Sequence, residues 1–541
     1  MSEPRRFALA DDRDLDELVS GLIARVPMVR ERSQVVDRTI YDTFDWRLRR
    51  RGTVLEHDVE LTGPDGTPST RADPWLVWRA IDTGEVVGRL RVDEVPRFAW
   101  ELPPGPTTDR IAAVIDVRAL LPLVTIRSEQ VVLGVVDADE KTEARIVIDR
   151  PQVVAGDGAA HVERSVLTTT VDVQPVRGYD RAATRIASLL AAQVVLRPIP
   201  GDLVDEALET VGLAAGSYNS KLSLHLAPSL AADAAFREVL ATLFDTMLAN
   251  EGGTRSNIDS EFLHDFRVAV RRTRSVLGFA TGVIDPRLRD ELRAGFKWLG
   301  DITTPTRDLD VYLLDFGATT GSLPGVRRRD LEPLRRFLAE RQRRAHVDLV
   351  AALDSPRYAE LVARYGAWLH APAPPPSSTT PDAVRPARDV AAERTWRAYR
   401  KLVKDGRRIT PDSPPVRLHD LRKDAKKLRY ALECFGSLFD ADDIAASVRE
   451  LKSVQDVLGA FQDCEVQKAS LDGFGREMID ERGASQTPTL LAMGVLVEQL
   501  DEREQRARVQ FDDHFARFDA KPVRRRFRRL FAPPSSHHGE A

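Results

Sequence analysis

Cysteine is nearly absent from this chain of 541 residues, which holds only Cys434 and Cys464. Two thiols cannot make a disulfide framework, and no CxxC pair or Cys/His cluster of zinc spacing occurs, so a reducing, cytoplasmic setting is expected and no metal site is assigned. Long apolar runs are missing as well. No window approaches about 18 uninterrupted apolar residues, and the N-terminal MSEPRRFALADDRDLDELV lacks the roughly 7–15-residue apolar stretch of a signal peptide, so no membrane association is expected. An excess of one charge is lacking too: 79 Lys+Arg stand against 83 Asp+Glu, for a net charge of −4 with 30% of residues charged. Residues 1–200 carry −5 and residues 201–541 carry +1, so no half of the chain is a basic coat. Any anion site must come from local patterning. No Walker-type loop or Ser/His/Asp arrangement appears. Lysine is scarce, with 11 against 68 arginines, which reads as a GC-rich coding bias and makes each lysine cluster stand out.

What is present divides into two kinds of pattern. From about residue 35 to 176 the apolar residues alternate in short runs: Thr53–Leu61, Pro74–Ile81, Val86–Val92, Val131–Val136 and Arg145–Ile148, separated by turns such as GPDGTP at 63–68. Helical stretches near 14–25, 109–121 and 179–193 surround these strands, giving an α+β chain that begins with an antiparallel β domain. Beyond residue 220, Leu, Ala, Arg and Glu recur at helical spacing to about 530. The helical region is broken by APAPPPSSTTPDAVRP at 371–386, read as a flexible linker. The expected organisation is a β domain over 1–196, a connector over 197–220 and a first helical half over 221–370. A Pro-rich linker over 371–388, a second helical half over 389–530 and a disordered tail over 531–541, which contains His537 and His538, complete it.

The helical region contains an internal repeat. HDFRVAVRRTR at 264–274 and HDLRKDAKKLR at 419–429 are offset by 155 residues, and the offset persists: Lys297 matches Lys452, Asp308 matches Asp463, and Val311 matches Val466. At about 100° per residue, Arg267, Arg271 and Arg274 share one helix edge with His264, while Leu263, Phe266, Val270 and Leu277 make the adjoining apolar face. In the second copy Arg422, Lys426 and Arg429 share the edge with His419, beside Leu418, Leu421, Ala425, Leu428 and Leu432. Ser413 and Pro414 are placed as N-cap and first position of that helix.

A charge run is usually a solvated helix face. Here the stripe is of one sign, so it repels itself unless an anion is bound. Each copy also sets a histidine in line with the arginines, and three of the scarce lysines crowd into Lys423, Lys426 and Lys427. A stripe of ten residues spans roughly 15 Å, too long for one phosphate and suited to a chain of them. Arginine grips phosphate oxygens in pairs and lysine acts as a point charge.

These doubled HDxRxxx[RK][RK]xR helices, each followed by a segment such as Leu299–Val311 (LGDITTPTRDLDV) or Leu458–Val466 (LGAFQDCEV), resemble the CHAD (conserved-histidine α-helical domain) family over about 215–530. The resemblance implies an all-α helical bundle with a pseudo-twofold repeat whose basic surface binds inorganic polyphosphate, and a cytoplasmic protein associated with polyphosphate granules in a bacterium. The binding residues so implied are His264, Arg267, Arg271, Arg272, Arg274, Lys297 and Arg307 in the first copy. In the second they are His419, Arg422, Lys423, Lys426, Lys427, Arg429 and Lys452. The basic-acidic pair of the family's second segment is kept as Arg307-Asp308 and lost as Gln462-Asp463, and the two aspartates are read as orienting the stripe.

A β domain ahead of such a bundle resembles a CYTH-like (triphosphate tunnel) module. The resemblance rests on IYDTFDWRLRRRGTVL at 40–55, RRFALADDRDLDELV at 5–19 and VDVQPVRGYDRAATRIASLL at 171–190, and it implies a closed β-tunnel or barrel of eight antiparallel strands. Hydrolysing members open with Glu-x-Glu-x-Lys, because a divalent cation needs carboxylate oxygens beside the phosphates. The matching positions here are Ser2, Pro4 and Arg6; the later Arg-x-Arg strand reads Glu56-His57-Asp58, and the closing Glu-x-Glu reads Asp172-Val173-Gln174. No catalytic residue, metal or cofactor is therefore assigned, and Arg79, Arg89, Arg91, Arg127 and Arg145 remain as candidate anion-binding residues of the tunnel.

Three other functions compete with polyphosphate binding. An HD-type metallohydrolase is disfavoured by the cations flanking His264-Asp265 and His419-Asp420. An active tripolyphosphatase with an accessory bundle requires ligands the β domain lacks. Nucleic acid is attracted by any basic helix, including the stretches at 327–344 and 521–529, the second of which reads as an accessory anion arm. Aromatics for base stacking are scarce around the stripes, which argues against single-stranded nucleic acid as a partner.

Overall fold

The computed structural model describes residues 6–9, 15–62, 74–156, 165–193, 196–199 and 203–533, apart from 221, 223, 322, 324, 376 and 483–485. The chain divides into two compact units, Met1–Asn219 and Ser220–Ala541.

The first unit is built on one antiparallel sheet of ten strands. In chain order they are β1 (Arg6–Leu9), β2 (Met28–Asp42), β3 (Thr53–Glu60), β4 (Trp75–Ala80), β5 (Val86–Arg91), β6 (Leu121–Val136), β7 (Thr142–Gly156), β8 (Ser165–Val166), β9 (Thr170–Pro175) and β10 (Leu196–Pro198). The lateral order is β10-β1-β9-β7-β6-β2-β3-β4-β5, with β8 on β7. This corrects the expectation of an eight-stranded closed tunnel: among the described residues the sheet has ten strands and is open. The physical reason lies at its two edges. Helix α2 (Pro106–Ile115) covers β5, with Arg110 Nη1 donating to the Val87 carbonyl at 3.1 Å, which occupies an edge that would otherwise seek a strand. At the other end β10 is three residues long and finishes at Pro198, which has no N–H to offer.

Helix α1 (Leu15–Ile23) and helix α3 (Asp180–Ala191) accompany the sheet. Leu22 of α1 and Ala183, Ile186 and Leu190 of α3 are buried in one core with Phe7, Val135, Ile146 and Val171 of the strands. The helix expected at 109–121 stops at Ile115, because Leu121 already begins β6. The expected connector over 197–220 is instead part of the first unit. It forms helix α4 (Val204–Thr210), whose Val204, Ala207 and Leu208 are buried among Ile40, Trp46 and Ile126.

The second unit is all-helical: α5 (Ala232–Arg255), α6 (Ser260–Phe279), α7 (Pro286–Thr320), α8 (Gly325–Asp330), α9 (Glu332–Leu353), α10 (Pro356–His370), α11 (Ala387–Gly406), α12 (Pro415–Phe435), α13 (Ala441–Arg482), α14 (Thr487–Phe518) and α15 (Lys521–Phe531). The sequence repeat is written into the helix starts. α5 and α11, α6 and α12, α7 and α13, and α9 and α14 each begin 155 residues apart. Equivalent residues also meet: Ala231 forms a β-bridge with Pro386, and the Tyr312 hydroxyl donates to the Gln467 carbonyl at 2.8 Å. The apolar faces of α5, α6 and α7 bury Phe236, Phe244, Phe266 and Phe296 around Tyr365 of α10. In the second copy α11 to α15 bury Tyr399, Leu428, Phe461, Phe511, Phe518 and Phe527.

Two local expectations are corrected. The Pro-rich segment is tied down rather than flexible: Asp382 N donates to the Gly282 carbonyl at 2.8 Å, Ala232 N to Arg385 O at 2.9 Å, and Arg394 Nη2 to Asp382 Oδ2 at 2.7 Å. Its Ser, Thr and Asp side chains supply turns, and Pro386 leads directly into α11. Ser413 does not cap α12. That helix starts at Pro415, and Ser413 instead accepts from Thr410 N at 2.9 Å in the preceding turn. The tail from 534 onward, with His537 and His538, lies outside the described residues, as do Ser2 and Pro4. Both cysteines are buried free thiols, and burial pushes Cys434 up to about 12. No helix among the described residues is long and apolar enough to cross a membrane.

Candidate functional site

Helix α6 begins where the Asp259 carboxylate accepts from the N–H groups of Glu261 and Phe262 at 2.9 and 3.2 Å, which caps its first turn. Its apolar face is then buried, and its basic edge turns toward the equivalent edge of α12. The two edges line one cleft of about 690 Å³, to which α6 contributes His264, Arg271 and Arg272, α12 contributes Arg422, Lys426 and Arg429, and α13 contributes Gln455 and Asp463.

Within the cleft the cations divide by partner. Arg272 Nη2 donates to Glu433 Oε2 at 2.8 Å and Arg429 Nε to Glu433 Oε1 at 2.6 Å, so one carboxylate holds two guanidinium groups. Arg429 Nη1 also reaches Gln455 Oε1 at 3.3 Å, and Arg422 Nη2 donates to Asp463 Oδ1 at 3.2 Å. Arg271 and Lys426 occupy equivalent repeat positions, and neither has a carboxylate partner among the described residues. Burial and the charges of Arg422 and Arg271 pull the Lys426 ammonium down to about 7, against the opposing pull of Asp463. Gln455 Nε2 is buried without an acceptor among the described residues.

Other predicted residues do not line this cleft. Arg267 turns into the protein, where Nη1 donates to Gly300 O, Thr303 Oγ1 and Thr304 Oγ1 of α7 at 3.1, 2.7 and 3.0 Å. Burial brings its guanidinium down to about 10. Arg307 donates to the Ser260 carbonyl at 3.0 Å and lies 3.6 Å from Glu261, bracing the start of α6. Gln462, standing where Arg307 does in the first copy, accepts from His419 Nδ1. Lys423 pairs with Asp420 at 3.2 Å and Lys427 with Asp424 at 3.5 Å, on the far edge of α12. Lys297 is paired with Asp301 at 2.7 Å, Lys452 is exposed, and the Arg274 guanidinium lies against Gly300 of α7.

Sequence reasoning missed Glu433, Gln455 and Tyr430 as cleft residues. Glu433 sits four residues after Arg429, a helical ion-pair spacing that signals it, whereas Gln455 comes from α13 and has no local signature. The acid-interleaved stretch at 327–344 forms α8 and α9 and is self-paired, with Arg335 and Arg336 on Glu332 and Arg343 and Arg344 on Glu340.

In the first unit the five candidate tunnel arginines are largely occupied. Arg79 Nε lies 2.9 Å from Glu56, Arg127 donates twice to Asp37 at 2.7 Å, and Arg145 donates to Glu31 at 2.7 Å. Arg89 lies 4.1 Å over the Trp75 ring, and Arg91 faces Trp75 across the β4–β5 register. Arg6 donates to Asp172 at 2.7 and 3.1 Å, so these two charges neutralise each other. No group of three or more His, Cys, Asp or Glu able to hold a metal ion occurs among the described residues.

Comparison with known proteins follows this division. No curated protein matches the chain. Among solved structures, the CHAD domain from the plant Ricinus communis is 25% identical with a TM-score of 0.45, covering 54% of this chain and 94% of that one. PptA from Streptomyces chartreusis is 19% identical with a TM-score of 0.42, covering 53% and 99%. HpAC1 from Hippeastrum, an adenylyl cyclase candidate described as having a dominant triphosphatase activity, is 12% identical with a TM-score of 0.28, covering 40% and 100%. The family model described as CHAD domain matches residues 238–472, a span that contains both α6 and α12, and the helical unit of this chain therefore contains a CHAD domain.

Proposed function

We propose that the second unit binds inorganic polyphosphate in the α6/α12 cleft and that the first unit does not turn triphosphates over. The observation that carries this reading is the confrontation of two basic helix edges around Arg271 and Lys426, with Lys426 brought down to about 7 by burial first and by its cationic neighbours second. Such a cleft carries a standing electrostatic cost, which a linear polyanion relieves along its whole length. The buried donor of Gln455 offers the same ligand a hydrogen bond. For the first unit, support comes from the Arg6–Asp172 pair and from carboxylates facing Arg79, Arg127 and Arg145, which leave little free charge for a phosphate. Association with granules in the cytoplasm belongs to this proposal.

The test is binding of long-chain polyphosphate and of DNA across a salt series, in parallel with Mg²⁺- and Mn²⁺-dependent phosphate release from tripolyphosphate. An Arg271→Glu/Lys426→Glu double variant should weaken polyphosphate binding by at least about 100-fold, since each charge-assisted contact is worth about 1.5 kcal/mol or more. Unchanged affinity refutes the placement. DNA affinity equal to that for polyphosphate at physiological salt refutes the ligand, and metal-dependent turnover refutes the inactivity of the first unit.

A further inference from the structure

The second unit holds another concentration of positive charge, which shares no residue with the α6/α12 cleft. Helices α11 and α15 are joined through the rings of Tyr399 and Phe527, stacked at 4.0 Å with an interplanar angle of 6°, and Val523 and Phe531 are buried beside them. Along this seam runs a groove of about 1420 Å³. Arg397, Arg400 and Lys404 from α11 and Lys521, Arg525 and Arg528 from α15 line it. All six are exposed, and none has a carboxylate partner among the described residues. The acids at the rim are already paired: Glu393 with Arg385, and Asp405 and Asp519 with three further lining cations, Lys401 at 3.0 Å, Arg407 at 2.7 Å and Arg524 at 3.8 Å.

The internal repeat provides a control for this charge. α10 packs on α5 as α15 packs on α11, yet the positions 155 residues before Arg397, Arg400 and Lys404 are Thr242, Asp245 and Ala249. The two arginines of α10 are spoken for, Arg357 lying 4.4 Å over Trp298 and Arg364 pairing with Glu291. The same architecture is thus built once without the cations, so the fold does not require them. Helix α15 is not a membrane-surface helix, because its apolar residues Val523, Phe527 and Phe531 are already buried in the core. Nor is the groove a stacking platform: Tyr399 and Phe527 are buried, and half-buried Trp396 is stacked on Tyr399 at 5.6 Å. What remains is a row of free cations about 10 Å long on α11, facing a second row on α15.

We propose that the α11/α15 groove is a second phosphate-chain site. It rests on the preceding reading for the identity of the ligand, not for the existence of the site. A chain long enough to enter both sites gains from the raised effective concentration of its second segment, whereas a short chain does not.

The experiment uses the full-length protein and short-chain polyphosphate in a titration calorimeter at physiological salt. The expected result is two equivalents bound per chain by the native protein and one by an Arg400→Glu/Arg525→Glu variant, with recovery in Arg400→Lys/Arg525→Lys. Long-chain polyphosphate should lose about 100-fold in affinity when the groove is reversed. Two equivalents retained by the Glu variant, or a single native equivalent that the Glu variant keeps, overturns the proposal. If the groove variant loses its equivalent while the Arg271→Glu/Lys426→Glu variant loses none, the groove stands and the cleft reading falls. An oligonucleotide bound at the groove and not displaced by polyphosphate overturns the proposal in favour of nucleic acid.

Discussion

Anion binding in the cleft should be linked to protonation of Lys426. This side chain is partly buried and meets Arg422 on its own helix, Arg271 and Arg267 from α6, and Asp463 from α13; burial and this balance of charges set its ammonium at about 7 in the free protein. A phosphate chain lying along Arg271 and Arg422 inverts that balance and returns Lys426 toward its ordinary value of about 10.5. Between those two values the bound state holds a proton that the free state lacks, so affinity must fall as pH rises. With the pKa at about 7 in the free protein and full recovery to about 10.5 as the upper limit, affinity drops by up to about 90-fold between pH 6 and pH 9, at close to 1.4 kcal/mol per pH unit above pH 8. Calorimetry at pH 8 in two buffers of different ionisation enthalpy should report uptake of about 0.9 proton per chain bound. Long chains are the appropriate ligand, because their internal phosphates stay ionised throughout this range. Lys426→Arg should bind with a flat pH profile, since a guanidinium keeps its charge. A native affinity that is constant from pH 6 to 9, or a Lys426→Arg variant that keeps the native slope, refutes the linkage. The same depressed pKa has a signed effect on folding. The unfolded state binds the extra proton between pH 7 and 10.5, so this group costs stability below pH 7 and the cost disappears as pH rises through that window. Lys426→Met should therefore raise the melting temperature at pH 6 while weakening binding, a trade expected of a residue kept for function.

Arg267→Ala removes three hydrogen bonds that tie α6 to α7 and should cost about 1.5–3 kcal/mol in denaturant unfolding, a larger stability loss than Arg271→Ala, which breaks none. Gly406→Ala would set a methyl group 2.1 Å from the buried Phe515 ring and should destabilise the second unit by about 1–3 kcal/mol, read as a lower melting temperature. Asp42 accepts from the N–H groups of Thr43, Leu48 and Arg49, and burial pushes its carboxyl up to about 6. Its contribution to stability is thus present below pH 4 and lost as pH rises to 6, by up to about 1.4 kcal/mol per unit, and Asp42→Asn should remove that part of the pH dependence of unfolding.

The elements of both units were legible wherever they depend on local periodicity. Thr53–Leu61 and Pro74–Ile81 became β3 and β4 nearly to the residue, and the 155-residue offset reappears in four pairs of helix starts. What escaped the sequence depends on partners distant in the chain. Closure of the sheet could not be read, because it turns on α2 covering β5 and on the shortness of β10. Proline content suggested a loose linker at 371–386, yet backbone bonds to Gly282 and Ala232 anchor it. In the cleft, the wheel arithmetic placed a basic edge on each helix but not the tilt of each side chain. Arg267 and Arg422 are equivalent in the repeat, and only Arg422 lines the cleft, since Thr303 and Thr304 offer Arg267 two hydroxyl oxygens beside the Gly300 carbonyl, and the second copy has Leu458 and Gly459 in place of the threonines. Lys423 and Lys427 enrich the motif in lysine but stand on the opposite edge, where Asp420 and Asp424 hold them.

The pseudo-twofold arrangement itself bears on which polyanion fits. Arg271 and Lys426 are equivalent positions facing one cleft, so its central pair of cations is related by the repeat. A chain of identical phosphates has no direction and presents the same oxygens to both edges. A single nucleic-acid strand has a polarity and cannot satisfy two edges related by a dyad in the same way. Duplex DNA does possess dyads, but a duplex segment as long as the stripe is far larger than a cleft of about 690 Å³. The overall charge of −4 adds to this discrimination, because no long-range basic field gathers bulk nucleic acid and the attraction acts only where the two edges converge. The repeat departs from symmetry inside the cleft, where Arg422 lines it and Arg267 does not, and again outside it, where the cations of α11 have no counterparts on α5. Preference for polyphosphate over single-stranded DNA should therefore survive reversal of Arg400 and Arg525 and be lost on reversal of Arg271 and Lys426. A preference that follows the groove variant instead would place the selectivity in the groove and leave the symmetry of the cleft without functional consequence.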